Sequence, residues 1–288
     1  MRQTYLILGA CGMAGHMLAA YLSEQGAEVV GFARHESPVC RIVLGDARDE
    51  ARLRQVITEV HADVVINAIG VLNRAVDRHL ANGIYLNSFL PHFAAECCDA
   101  VGSQFLHIST DCVFSGRRGG YVETDVPDET SWYGRTKALG EVVDGNHLTI
   151  RTSIIGPELN PQGVGLFHWF MQQRGSVAGY AQVAWSGVTT LELAKFIWRL
   201  RTEELTGLYH LTNNEKIAKR DLLKLFNAYR SHPVEIRSQE DPVSDKSLCS
   251  MREGLSGYAV PSYTQMVEEQ AAWIAAHAAL YPEYEVRV

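Results

Sequence analysis

An apolar run, Tyr-Leu-Ile-Leu from Tyr5 to Leu8, leads into the glycines Gly9, Gly12 and Gly15, and a helix-like segment follows at 16–26. The G-x-x-G-x-x-G spacing between a strand and a helix restricts the fold more than any other feature. The turn must be tight, the backbone must come close to a bound group, and the helix N-terminus offers free N–H groups with positive dipole character. Glycines also serve ordinary turns and close packing. The strand before and the helix after tilt the reading to a pyrophosphate seat built from Gly9, Cys11, Gly12, Met13 and Gly15.

The β-α rhythm continues from there. Apolar strands are expected at 27–33, 40–45, 63–70, 104–109 and 147–155, with helices at 49–61, 85–102 and 131–144. Strands that are apolar throughout are buried on both faces, which implies a parallel sheet covered by helices, a doubly wound α/β architecture. The rhythm breaks at a Gly/Pro-rich stretch, 156–165, before helices at 191–201, 219–231 and 262–280 and a strand at 207–211. The predicted division is a dinucleotide-binding domain at 1–155, with a helix near 189–202 returning to it, and a smaller domain at 156–288.

A formal charge of −7 without any Lys/Arg run excludes nucleic acid and anionic membrane as main partners. No stretch reaches the roughly 18 uninterrupted apolar residues of a membrane span, and the glycine-broken N-terminus does not read as a signal peptide. The six cysteines form no paired C-x-x-C motifs. Reduced thiols in a cytoplasmic protein, with no metal site, are therefore expected.

Arg34 and His35 end the second strand, where an acidic residue would hold a ribose 2′-hydroxyl; a cation there suits a 2′-phosphate instead, so NADPH is favoured and NADH left open. Asp46 and Ala47 follow the third strand, placed to line an adenine ring, although Asp46 could equally cap a helix. The fifth strand ends in Ser109, Thr110 and Asp111, and Tyr133 and Lys137 stand four residues apart on the next helix. A free phenol has a pKa of about 10 and is a poor acid near neutrality. A neighbouring ammonium brings it into range, so Tyr133 reads as proton donor, Lys137 as the charge that tunes it, and Thr110 as a partner for the reacting oxygen. Taking Ala138, Leu139, Val142 and Val143 as the apolar stripe puts Tyr133 and Lys137 off the core, facing water or a cleft.

The motifs GACGMAG, STDCVFSG, YGRTK and IRTSIIG together resemble an extended short-chain dehydrogenase/reductase, and within it the dTDP-4-dehydrorhamnose reductase group. The resemblance implies a Rossmann-type doubly wound parallel sheet with a smaller α/β substrate-binding domain. It also implies NADPH-dependent reduction of a keto group on a nucleotide-activated sugar, in sugar biosynthesis of the bacterial surface-polysaccharide type. It assigns catalysis to Thr110, Tyr133 and Lys137, the last two also contacting the cofactor, and lays Asn67, Ala68, Ile69 and Gly70 along it. Asn87 matches the asparagine of the long central helix. Candidate substrate contacts are Asn73, Phe114, Arg151, Trp185 and Arg252. Cys112 stands where the group often has an aromatic residue, NAIGVLN replaces an alanine-rich strand end, and VSDKSLCSMR lacks an Arg-Pro element. These departures leave the sugar open. An epimerase of the same fold and a non-catalytic NADP-binding regulatory subunit are the alternatives. The C-terminal helix either closes the smaller domain or joins two copies as a homodimer.

Overall fold

The structure, a computed structural model, describes residues 3–287. Strands β1 (Thr4–Leu8), β2 (Glu28–Ala33), β3 (Arg41–Leu44), β4 (Val64–Asn67), β5 (Gln104–Thr110) and β6 (Leu148–Thr152) join a late strand, Gly207–His210, in one parallel sheet. Its order is Gly207–His210, β6, β5, β4, β1, β2, β3. The chain starts in the middle, builds to one edge through β2 and β3, and then returns to the other side of β1. Strand direction out of the centre reverses between β1 and β4, and the carboxyl ends there open a crevice of the kind ligands occupy.

Alternation along β1 divides the core. Leu6 and Leu8 join Phe32, Leu53, Ile57, Val65 and Phe105 on one face. Tyr5 and Ile7 join Leu18, Ile66, Ile150, Leu193 and Phe196 on the other. Helices α1 (Met13–Glu24) and α2 (Glu50–Val60) cover opposite faces, and two short helices, α3 (Asn73–Arg78) and α4 (Leu80–Ile84), follow β4. The helix expected at 85–102 is not uniform: a π-helical turn, Tyr85–Phe89, precedes α5 (Leu90–Asp99). Pro91 explains the change, since it has no N–H to give the Asn87 carbonyl four residues back.

The helix expected at 131–144 stops early. α6 (Trp132–Leu139) is capped by the Ser131 hydroxyl, which accepts Gly134 N–H at 3.3 Å, and it ends at Gly140. The strand expected at 147–155 divides at Ser153, and Ile154–Ile155 pairs with Val188–Thr189 instead. Beyond lie α7 (Leu166–Met171), α8 (Thr190–Leu200), α9 (Lys219–Ala228) and α10 (Tyr263–Ala276), with short strand pairs among them. α8 packs on α1, and the strand after it enters the main sheet beside β6. Phe167, Phe226 and Met266 share one apolar cluster with Ile7 and Leu18, so the core is continuous through both halves.

The first turn of α1 rests on the glycine turn without room to spare. Gly9 adopts φ +83°, and a Cβ on Gly15 would collide with the Gly9 carbonyl. Gly15→Ala should cost about 1–3 kcal/mol of stability, read as a lowered thermal midpoint.

Candidate active site

The glycine turn forms one wall of a cavity of about 680 Å³ at the carboxyl ends of β1 to β4. Gly9, Cys11, Gly12, Arg34, Asp46, Ala47, Ala68, Ile69 and Gly70 line it, all expected from the sequence. His35, which follows Arg34 at the strand end, lines it as well, and Arg48, Val71, Asn82, Leu86 and Asn160 do so without having been expected. Asn82 and Leu86 stand one helical turn apart, a spacing legible in the sequence. Nothing local marks Asn160, which the Gly/Pro-rich stretch carries across from the second half.

Five expected cofactor residues do not line the cavity, Tyr133 and Lys137 on α6 among them. Gly15 packs beneath the turn, Met13 opens α1, and Asn67 is wholly buried under the floor. Asp46 is not the helix cap either: Asp49 caps α2 by accepting Arg52 N–H at 3.0 Å. Asp46 instead takes the Arg48 guanidinium at 2.5 Å and its backbone N–H at 2.9 Å. Those bonds, with Arg34 nearby, hold the carboxyl down at about 2. Asp46 and Arg48 cancel as a pair, and Arg34 adds a cationic charge at the far end of the cavity. A bare glycine turn at a helix N-terminus and a cation at the opposite end fit a phosphorylated dinucleotide.

Thr110 ends β5, and its hydroxyl accepts Cys112 N–H at 3.1 Å and donates to Asp111 Oδ1 at 3.1 Å. Tyr133 and Lys137 are 9% and 4% exposed, so the expectation that they lie off the core is wrong. The stripe behind it borrowed Val142 and Val143, which lie past the end of α6, whereas Leu139 on the helix is 70% exposed. Gly134 lets the first turn of α6 close on the Cys112 carbonyl, where a Cβ would collide. That closure brings Tyr133 against Thr110.

Burial pushes the Tyr133 phenol above its usual range, Cys112 and Asp111 add to this, and the Thr110 hydroxyl works the other way. Lys137 is not among the groups acting on it, contrary to expectation. Its ammonium turns instead to the Ile108 carbonyl at 2.9 Å and to His107 Nε2 at 3.2 Å. Burial lowers Lys137 to about 8, with Glu141 acting in the opposite direction. Burial also raises Asp111 and lifts the Cys112 thiol to about 12, so that thiol is inert at neutral pH.

Two buried hydrogen-bond chains tie α6 to the cavity wall. Val71 N–H donates to Asn87 Oδ1 at 2.8 Å, and Asn87 Nδ2 donates to the Thr136 hydroxyl at 3.2 Å. Ile69 N–H donates to Asn67 Oδ1, Asn67 Nδ2 meets His107 Nδ1, and His107 meets Lys137, in steps of 3.1, 3.1 and 3.2 Å. His107 has no sequence signal beyond its place two residues before Ser109.

Of the expected substrate contacts, four are engaged within the protein. Arg151 makes a buried two-pronged pair with Glu141 at 2.7 and 2.6 Å, over the ring of Phe114. Phe114 is wholly buried and stacks on Tyr121. Trp185 is buried and donates its indole N–H to Ser153 Oγ at 2.8 Å. Arg252 binds the Thr206 and Leu208 carbonyls at 2.7 and 2.6 Å. Only Asn73 of the five is exposed near the cavity, at the start of α3 beyond Val71.

The chain is similar to known proteins along much of its length. The family model described as the RmlD substrate binding domain matches residues 3–249. A protein of Haloferax volcanii named a probable low-salt glycan biosynthesis reductase is 35% identical over 141 residues, 47% of this chain and 46% of its own. A dTDP-4-dehydrorhamnose reductase of Burkholderia thailandensis is 33% identical over 156 residues, 51% of this chain and 49% of its own. The matched part thus spans about half the length of these curated relatives. Among solved structures, a hypothetical dTDP-4-dehydrorhamnose reductase of Sulfolobus tokodaii superposes with a TM-score of 0.74 at 27% identity, covering 86% of this chain and 92% of that one. That of Bacillus anthracis in complex with NADP gives 0.80 at 20% identity, covering 95% and 100%, and speaks for the fold. The chain belongs to the RmlD substrate binding domain family.

Proposed function

We propose that the protein reduces the keto group of a nucleotide-activated sugar with NADPH. One observation carries the reading: Tyr133 lies against Thr110 and Lys137 binds the Ile108 carbonyl and His107, all at the end of β5, with α6 hydrogen-bonded through Asn87 and Asn67–His107 to the wall of a dinucleotide-sized cavity. Relatives named as reductases of dTDP-4-dehydrorhamnose and of glycan biosynthesis support the substrate class. A neighbour of the same fold is described in complex with NADP, and another with NAD and UDP.

In this reading Gly9 and Gly12 seat the pyrophosphate, Arg34 with His35 and Arg48 takes the 2′-phosphate, and Asp46 with Ala47 lies along the adenine. When bound, the reduced dinucleotide supplies a hydride to the carbonyl carbon. Tyr133 holds its phenolic proton until negative charge builds on the carbonyl oxygen, then releases it there, and the resulting phenolate is reprotonated by way of the Lys137 ammonium one turn on, which recovers its own proton from solvent. The carbonyl thereby gains one hydride and one proton. A raised phenol is no obstacle, because the acceptor is an alkoxide, far more basic than a phenolate. Thr110 steadies the oxygen. The exposed edge at Asn73 and the loop after β5 would face the sugar.

Tyr133→Phe should lower kcat for a 4-keto nucleotide sugar about 10²- to 10⁴-fold while NADPH binding by fluorescence titration is unchanged. Undiminished turnover would refute the assignment. Arg34→Ala should weaken NADPH by about 1.5–3 kcal/mol and leave NADH affinity unaltered in the same titration. A Cβ at Gly12 would meet only the Gly9 carbonyl, at 3.4 Å. Gly12→Ala should therefore keep the thermal midpoint of the protein and lose the dinucleotide, the reverse of Gly15→Ala.

A further inference from the structure

His107 lies behind Lys137, outside the cavity, yet its hydrogen bonds determine which form of the lysine is welcome. Asn67 Oδ1 accepts Ile69 N–H at 3.1 Å. A backbone N–H only donates, so the amide oxygen is fixed on that side and Nδ2 on the other, 3.1 Å from His107 Nδ1. An amide NH₂ also only donates. His107 Nδ1 therefore carries a lone pair, and the neutral ring holds its proton on Nε2. That N–H points at Lys137 Nζ, 3.2 Å away, which also donates to the Ile108 carbonyl at 2.9 Å. A free amine has a lone pair to receive the Nε2–H, whereas an ammonium has none. Asn67 and His107 are 0% exposed and Lys137 4%, so bulk water does not relieve the mismatch.

We propose that Asn67 and His107 are positioning residues that favour the free amine of Lys137 over its ammonium, by presenting it with the His107 Nε2–H in place of a lone pair. The proposal rests on the reading of Tyr133 and Lys137 as the proton-transfer set. Turning the Asn67 amide would free His107 Nε2 to accept from the ammonium, but would set Nδ2 against the Ile69 N–H, donor against donor. Ile69 lines the cavity. The proton on Lys137 is thus linked to the backbone that faces the dinucleotide.

The ionisable groups around the pair come from three elements. Tyr133 and Glu141 lie on α6 and just beyond it, His107 is on β5, and His92 is on α5 with its Nε2 at 2.8 Å from the Leu139 carbonyl. Burial, then Lys137 and His92, hold His107 well below the usual imidazole range, so it stays neutral as the lysine titrates. Lys137 itself is lowered to about 8. The ammonium is present below that pH and lost above it, so ketone reduction should fall along an alkaline limb.

Asn67→Asp reverses the device. A carboxylate accepts from both Ile69 N–H and His107 Nδ1–H, the ring moves its proton to Nδ1, and Nε2 turns a lone pair to the ammonium. Long-range ¹H–¹⁵N correlation of the free protein reads the tautomer, with His107→Gln identifying the resonance. The wild type should show His107 protonated on Nε2 and Asn67→Asp on Nδ1. The alkaline limb of kcat/KM should move up by about one pH unit or more. A wild-type ring protonated on Nδ1 overturns the proposal without any variant, as does a switched tautomer with an unmoved limb. If no keto sugar is turned over, the reductase reading fails while the wild-type tautomer still decides this one.

Discussion

The site is organised around a buried lysine. Moving an ammonium out of water is costly unless it is hydrogen-bonded, and Lys137 finds its one acceptor, the Ile108 carbonyl, at the end of β5, where its other neighbour, His107, favours the free amine. That requirement fixes the rotation of α6 about its own axis. With the lysine turned into the strand end, Tyr133 one turn earlier is carried against Thr110. The Ser88 hydroxyl, donating to the Thr136 carbonyl at 2.7 Å, and Asn87, bonded to the Thr136 hydroxyl, hold the helix from its other side. A helix of eight residues could not keep this orientation on its own propensity.

A second buried charge supports the first. Glu141, just past α6, receives Arg151 of β6 and the Ser109 hydroxyl of β5 at 2.7 Å. Arg151 also donates to His210 Nε2 at 3.3 Å, and His210 Nδ1 meets the Cys249 carbonyl at 3.0 Å. The helix end, two central strands and the strand from the second half are thereby joined through one carboxylate. Removing one partner of such a pair leaves the other charge buried alone. Arg151 is thus spent on architecture, and the same holds for Phe114 beneath it.

The parts legible in the sequence were those with local causes. The glycine turn, the apolar strands and Tyr133 with Lys137 each rest on a spacing of a few residues, and the structure brings them to one end of the sheet. The readings that failed depended on distant contacts. The wheel drawn through Val142 and Val143 ignored Gly140, which ends α6 before them. Arg151 and Arg252 looked available because their partners, Glu141 and two carbonyls before and within a late strand, meet them only in the fold. His107 was passed over as one polar residue in a strand. Its importance lies in neighbours 40 residues before and 30 residues after it in the chain. Among the described residues no helix is long and apolar enough to cross a membrane.

The central claim is that hydride leaves the dinucleotide for good and stays on the sugar. Incubation of the protein with NADPH deuterated at C4 and a 4-keto nucleotide sugar, followed by mass spectrometry of the sugar product, tests it most directly. The account predicts one deuterium on the former carbonyl carbon from one face-specific label, and one NADP⁺ formed per sugar reduced. A sugar isomerised or left unchanged, with no label gained and no NADPH consumed, would contradict it.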